Sequence, residues 1–410
     1  MSDKKNPAII FIFITIVIDV LGIGIIIPVL PKLLMSLTHT GFSEASRYSG
    51  LLMSAYAIMQ FLFSPVLGGL SDMYGRRPVI LASLFGFFLD YLLLIYAPTI
   101  GWLFLGRLLA GITGASFTTA TAYIADISND ENRSKNFGMV GAAFGLGFII
   151  GPVIGGFLGD IGVRVPFMFA AGLTFLNWLY GYFVLPESLK SENHRAFDWK
   201  RANPIGSLKN IARYPALLGL IGALFFLQIA GQTHPSTWSY FTMKEFHWNG
   251  TQVGYSLAFV GLIVAIVQGG LNRIINPKIG DRNSVIIGLL FYAAGFVFFS
   301  FATKGWMMYA AMIPFGLGGI AGPAIQSLIT KQVAPNEQGE LQGGITSMQS
   351  VTTIVGPLVA SNLFSYFSDD KAPVYFPGAA FMMAGILTVL SLFIALRSFP
   401  KKSQIIEAVK

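Results

Sequence analysis

Cysteine is missing from all 410 residues, which excludes a disulfide framework, a Cys-ligated metal and a thiol nucleophile. Charge is nearly as scarce. Asp, Glu, Lys and Arg make up 11% of the chain, less than half of the roughly 25% found in ordinary soluble domains, so water is not its main solvent. No metal-ligand cluster and no nucleophile-and-base set stands out among the few polar residues, so neither a cofactor nor an enzymatic activity is expected.

What is abundant is apolar surface: 54% of the residues are hydrophobic and 14% aromatic. A bilayer helix needs about 20 mostly apolar residues, and such runs recur from end to end. They predict about twelve spans, near residues 7–31, 46–70, 77–97, 101–125, 137–160, 165–186, 214–236, 251–273, 283–303, 306–330, 340–366 and 374–397. The 46 glycines and 20 prolines suit a polytopic bundle, where small residues let helices approach and neighbours re-satisfy backbone interrupted by proline. The first run, Pro7 to Val29, is too long for a signal peptide and reads as a retained span.

The net charge of +8 falls in loops between apolar runs, with no interleaved aromatic patch, so nucleic acid is not an expected partner. With the N-terminus inside, 20 Lys and Arg fall on the cytoplasmic side and 6 on the other. That bias predicts both termini in the cytoplasm. Only Arg107 is left within a span. The longest polar stretch predicts a linker at 187–213 between a six-helix half, 1–186, and a second, 214–410. An offset of 205 residues supports the division: it pairs Gly75 with Gly280, Arg77 with Arg282, Gly138 with Gly343, and Gly151-Pro152 with Gly356-Pro357. Two parallel six-helix repeats are the major facilitator architecture, an all-α integral membrane fold.

Between spans two and three the chain reads Gly68-Gly-Leu-Ser-Asp72-Met-Tyr-Gly75-Arg76-Arg77-Pro78. This resembles the major facilitator signature loop, with Met73 in place of its usual cation. Gly75 permits a tight turn, Arg76 and Arg77 hold the cytoplasmic surface, and Asp72 lies where a carboxylate meets a helix start or an Arg. Span five carries Gly147, Gly151, Pro152, Gly155 and Gly156, a small-residue face suited to close helix packing, and resembles the antiporter motif of drug-efflux members of the superfamily.

Charge inside a span costs roughly 2.5–3.5 kcal/mol on translocon scales, so each instance points to a role. Asp19 and Asp90 both lie roughly 18–20 Å from the cytoplasmic end at the helical rise, near the middle of the bilayer. Arg107 enters from the other side to a depth of roughly 9 Å. Two acids and one base cannot all be neutralised by one pair, which points to proton exchange at a carboxyl. Because spans three and four are consecutive, Asp90 is the expected partner of Arg107, and Asp19 the expected carrier. In the second half Gln228, Gln232, His234, Trp238, Tyr292, Gln326 and Gln349 offer hydrogen bonds and stacking to a bulky, partly polar substrate.

Taken together, Asp19-Val-Leu-Gly-Ile-Gly, Pro28-Val-Leu-Pro31, Tyr56-Ala-Ile-Met-Gln60, Gly106-Arg107-Leu-Leu-Ala-Gly111, Tyr123-Ile-Ala-Asp126 and Gln228-Ile-Ala-Gly-Gln232 resemble the tetracycline efflux proteins, tetracycline:proton antiporters of the major facilitator superfamily. The resemblance implies transport roles for Asp19, Asp90 and Arg107. It implies a gate built from Asp72, Asp126 and Arg133. Gln60 joins the expected substrate contacts, and a monomer in the bacterial inner membrane is expected. The chain departs from that family in span nine, where Tyr292 replaces an acid, and in span eight, where Val264 replaces the His of some classes. Proton coupling would then rest on Asp19 and Asp90. The expected function is proton-coupled export of an amphipathic, drug-like compound, tetracycline-like or multidrug, by alternating access. The alternative is proton-coupled uptake of a small nutrient or metabolite.

Overall fold

Within a hydrocarbon core each backbone N–H and C=O must find its partner inside the protein, and a helix does this without help from neighbours. The computed structural model describes residues 7–114, 116–129, 132–199, 203, 206, 208, 211–334 and 337–399, and these are almost wholly helical. The predicted linker therefore lies partly outside the described residues, as do the basic residues at both chain ends.

The first three spans are the helices Pro7–Thr38, Phe42–Tyr74 and Arg76–Tyr96; the fifth to seventh are Arg133–Ile161, Val165–Val184 and Leu218–Phe246. Spans one, two and seven run past the ends expected from hydropathy, because helical hydrogen bonding continues where apolar composition stops. Pro28 and Pro31 lie inside the first helix without ending it.

Ten helical stretches among the described residues are long and apolar enough to cross a membrane. One of them, Gly250–Ser300, has 51 residues, enough for two crossings at about 1.5 Å per residue. It contains a π turn at Val267–Leu271 and breaks at Gly280, where φ is +80°. Spans eight and nine are thus continuous except for one glycine. The helix Gln338–Phe367, with Gln342, Gln349 and several Ser and Thr, is too polar to stand among the ten, yet its 30 residues suffice for a span. These two facts reconcile ten apolar stretches with about twelve crossings.

Span four is interrupted between Ile100–Thr113 and Ser116–Asp126. Span ten is interrupted between Gly305–Leu317 and Ala321–Thr330 by the 3-10 turn Gly318–Ile320. The two breaks fall at matching places in the 205-residue repeat.

The chain forms two compact units. One holds Met1–Gly41, Leu51–Asn203 and Trp248–Ala258; the other holds Phe42–Gly50, Pro204–His247 and Phe259–Lys410. The first is built on a core of Phe11, Ile12, Ile16, Ile80, Leu84 and Tyr123. The second is built on Leu220, Leu224, Leu289, Ile325, Ile329 and Ile345.

Candidate functional site

Spans three and four are joined by a short turn, which brings Asp90 and Arg107 together. Arg107 Nη2 donates to Asp90 Oδ2, with the Asp90 side chain 2% exposed and that of Arg107 17%. The close approach needs Gly106, since a Cβ there would sit 2.6 Å from Asp90 Oδ1. Asp90 Oδ1 and Arg107 Nε have no hydrogen-bond partner among the described residues. A buried ion pair with unused polar atoms is not built for stability alone, because desolvation offsets its attraction.

Asp19, half-buried on span one, belongs to the same neighbourhood. It lies one turn before Gly22, where span one meets Tyr91, the chain neighbour of Asp90. Tyr91 lies against span one at Gly22, leaving no room there for a Cβ. Gln60 Nε2 donates to Tyr56 Oη at 3.2 Å and to the Gly114 carbonyl at 3.3 Å, at the break in span four. Tyr91 is absent from the sequence-based candidates; the signal that could have found it is a phenol directly after a buried acid in an apolar run.

The signature loop turns at Gly75, whose φ of +99° is open to glycine and strained for other residues. Arg76 then reaches Asp72 Oδ1 at 2.5 Å, Asp126 Oδ2 at 3.1 Å and Ser71 Oγ at 2.6 Å. The Gly68 carbonyl accepts from Ser71 Oγ at 3.0 Å. Arg77 donates to the Tyr182 carbonyl at 2.6 Å.

Sequence reasoning missed Glu187. Its carboxylate accepts the backbone N–H of Arg76 at 2.8 Å and of Arg77 at 3.0 Å, supplying the anion that the start of span three calls for. The contact spans 111 residues, and nothing local in the chain announces it. Arg133, expected in this cluster, opens span five and is exposed. A cleft of about 460 Å³ lies over Asp72, Arg76 and Asp126, and the linker residues Leu189 and Glu192 to Arg195 complete its lining.

The small-residue face of span five divides in two. Gly147, Gly151 and Gly155 meet span one at the carbonyls of Val17, Leu21 and Ile25, Gly156 meets Gly250 of span eight, and Pro152 touches both, Gly24 of span one through its ring and Gly254 of span eight through its carbonyl. A Cβ at Gly155 would overlap backbone, which cannot yield as a side chain can. Gly155→Ala is therefore expected to lower stability by about 1–3 kcal/mol, read as a fall in thermal unfolding midpoint in detergent.

In the second unit the expected substrate residues lie on two faces of span seven. Gln228 and Gln232 are four residues apart and share a face, half-buried; Gln232 Nε2 lies 3.5 Å from Thr353 Oγ1. His234 and Trp238 share another, since a six-residue step turns about 240° at 100° per residue. That second face is core. Trp238 is 0% exposed and His234 5%, with His234 stacked on Trp238 at 4.5 Å and on Phe315 at 5.2 Å. Tyr292 stacks on Phe296 and meets Phe315 edge-on at 5.2 Å. Gln326 Nε2 donates to Gln342 Oε1 at 3.2 Å, and Gln349 is half-buried one turn before Thr353.

The Major Facilitator Superfamily profile matches residues 12–278 and, a second time, 242–408. The tetracycline resistance protein, class C, of Escherichia coli is 41% identical over 362 residues, covering 88% of this chain and 91% of its own. The class B protein of Escherichia coli is 37% identical over 358 residues, covering 87% and 88%. Among solved structures, a mutant of the nucleoside transporter NupG aligns with a TM-score of 0.78 over 96% of this chain and 100% of its own. Its 12% identity makes that a likeness of fold alone. Helices that cross the membrane many times, a twofold repeat, a buried intramembrane ion pair and relatives aligned over nearly their whole length converge: the chain is a transporter, not an enzyme, and belongs to the Major Facilitator Superfamily alongside the tetracycline resistance proteins.

Proposed function

We propose that the protein exports an amphipathic, tetracycline-like or multidrug substrate from the bacterial cytoplasm in exchange for protons, by alternating access, with both termini cytoplasmic. The observation that carries this reading is the charge cluster of the first unit: Arg107 is committed to Asp90, and Asp19 lies on span one a turn before Gly22, where Tyr91, the chain neighbour of Asp90, packs. Asp19 takes up and releases the proton; the Asp90–Arg107 pair holds the fixed charge against which that proton is exchanged. The tetracycline resistance relatives, which cover most of the chain, support the drug class.

Substrate contacts rest on the amides. Gln228, Gln232, Gln326 and Gln349 offer donors and acceptors that do not titrate, and Gln60 stands next to the proton cluster. His234, Trp238 and Tyr292 act as the packed wall behind the amide face. Arg76, joined to Asp72 and Asp126, serves as a cytoplasmic latch. Arg76→Ala removes hydrogen bonds to charged partners worth about 1.5–3 kcal/mol, so it is expected to slow transport roughly tenfold while leaving the binding constant for substrate nearly unchanged. Equal losses in rate and affinity would remove the latch from the scheme.

The deciding experiment is proton release by purified protein in weakly buffered detergent on adding tetracycline or ethidium. Release on binding, abolished by Asp19→Asn, is the expected result. Proton uptake on binding a small metabolite instead would favour coupled uptake.

A further inference from the structure

The 205-residue repeat carries more than helix packing. Positions 76 and 126, which form the Arg76–Asp126 pair, correspond to 281 and 331, occupied by Asp281 and Lys331. These two are also an ion pair, with Lys331 Nζ 2.6 Å from Asp281 Oδ2. The turns preceding them match as well, since Gly75 and Gly280 share positive φ, +99° and +80°. So do the residues five before each charge. Ser71 Oγ accepts from Arg76 at 2.6 Å, and Asn276 Nδ2 donates to Asp281 Oδ1 at 3.0 Å. The charges adjoining the turns, Arg76 and Asp281, are each 11% exposed. The turn, the ion pair and the hydrogen bond five residues back are present twice with charge and donor–acceptor sense reversed, while Asp72, the other partner of Arg76, has no counterpart, its matching position being Pro277.

Reversal has an energetic consequence. A helix start favours an anion and a helix end a cation. Arg76 is the first residue of span three and Asp126 the last of Ser116–Asp126, so both oppose their helix dipoles, and the start of span three takes its anion from Glu187. Asp281 begins the helix after Gly280, and Lys331 caps the end of Ala321–Thr330. Both agree with their dipoles. Asp281 also accepts from Ser327 Oγ at 2.8 Å, so its carboxylate is held by an amide, a hydroxyl and an ammonium.

We propose that Asp281–Lys331 is a second, polarity-reversed fastener that stays closed while the chain transports, leaving Arg76–Asp126 as the one that releases. Asp281 and Lys331 are positioning residues: they fix the joint between spans eight and nine and the end of span ten. The inference rests on the transport reading given above for its functional half and on helix electrostatics for its structural half.

The natural absence of cysteine gives a direct test, because an introduced thiol pair is alone in the chain. Asp281→Cys combined with Lys331→Cys removes the fastener. In proteoliposomes driven by a pH gradient, with tetracycline or ethidium as probe, this variant should transport at least about threefold more slowly than wild type. Bridging the thiols with a short, reducible bis-thiosulfonate should recover most of the rate, and dithiothreitol should abolish the gain. Bridging that lowers the rate or leaves it unchanged would overturn the proposal. A second measurement needs no transport. The exchange Asp281→Lys with Lys331→Asp re-forms the pair against both dipoles, and the thermal unfolding midpoint should fall by about 2 °C or more below wild type. A midpoint equal to or above wild type would overturn the polarity argument. If wild type itself moves neither probe, the transport reading fails, and the unfolding result still stands or falls alone.

Discussion

Asp19→Asn should abolish proton-driven accumulation while leaving downhill exchange of substrate. A one-unit pH gradient is worth about 1.4 kcal/mol per proton exchanged, or an accumulation of about tenfold. Without a titrating group at position 19 the gradient has no route into substrate movement, and the ratio should fall to about one. The Asp90–Arg107 pair is untouched by this change, so fold and binding survive. Proteoliposomes assayed with and without an imposed gradient separate the two modes. Accumulation by the Asp19→Asn protein against its substrate gradient would move the carrier elsewhere.

Asp90→Asn should behave differently, because it strands a cation. Arg107 is mostly buried and its only ion pair among the described residues is with Asp90. Breaking a buried pair by removing one partner costs about 3–5 kcal/mol, so the variant should unfold at a markedly lower temperature and lose both accumulation and exchange. Removing both charges, Asp90→Asn with Arg107→Gln, should restore much of the stability without restoring proton-driven transport. An Asp90→Asn protein as stable as wild type would show that Arg107 finds another counter-charge.

Much of this architecture was legible in the sequence, because the physics involved is local or periodic. Apolar runs mark the spans, the 205-residue offset marks the repeat, and consecutive spans three and four predict that Arg107 meets Asp90. Gly75 is readable from its motif, and Gly280 from its place in the repeat.

What escaped the sequence is either long-range or masked by uniform hydrophobicity. Glu187 reaches the start of span three from beyond span six, and no local pattern signals such a contact. Span seven is apolar around nearly its whole circumference, so its sequence did not separate the half-buried Gln228 and Gln232 from the core pair His234 and Trp238. Helix ends were misplaced where hydrogen bonding outlasts hydrophobicity, as in Pro7–Thr38. The Asp281–Lys331 pair shares no identity with its counterpart: Gly75 matches Gly280, but Arg76 falls opposite Asp281, where construction is kept and charge is reversed.

The central claim, exchange of a drug-like substrate for protons, is tested most directly in proteoliposomes of the wild-type protein loaded with acidic buffer and diluted into neutral buffer containing tetracycline. Exchange predicts that tetracycline accumulates in the acidic lumen above its external concentration while the lumen loses protons, and that an ionophore collapsing the gradient abolishes both. Accumulation only when the outside is the acidic side would show that proton and substrate travel together, and would contradict the account.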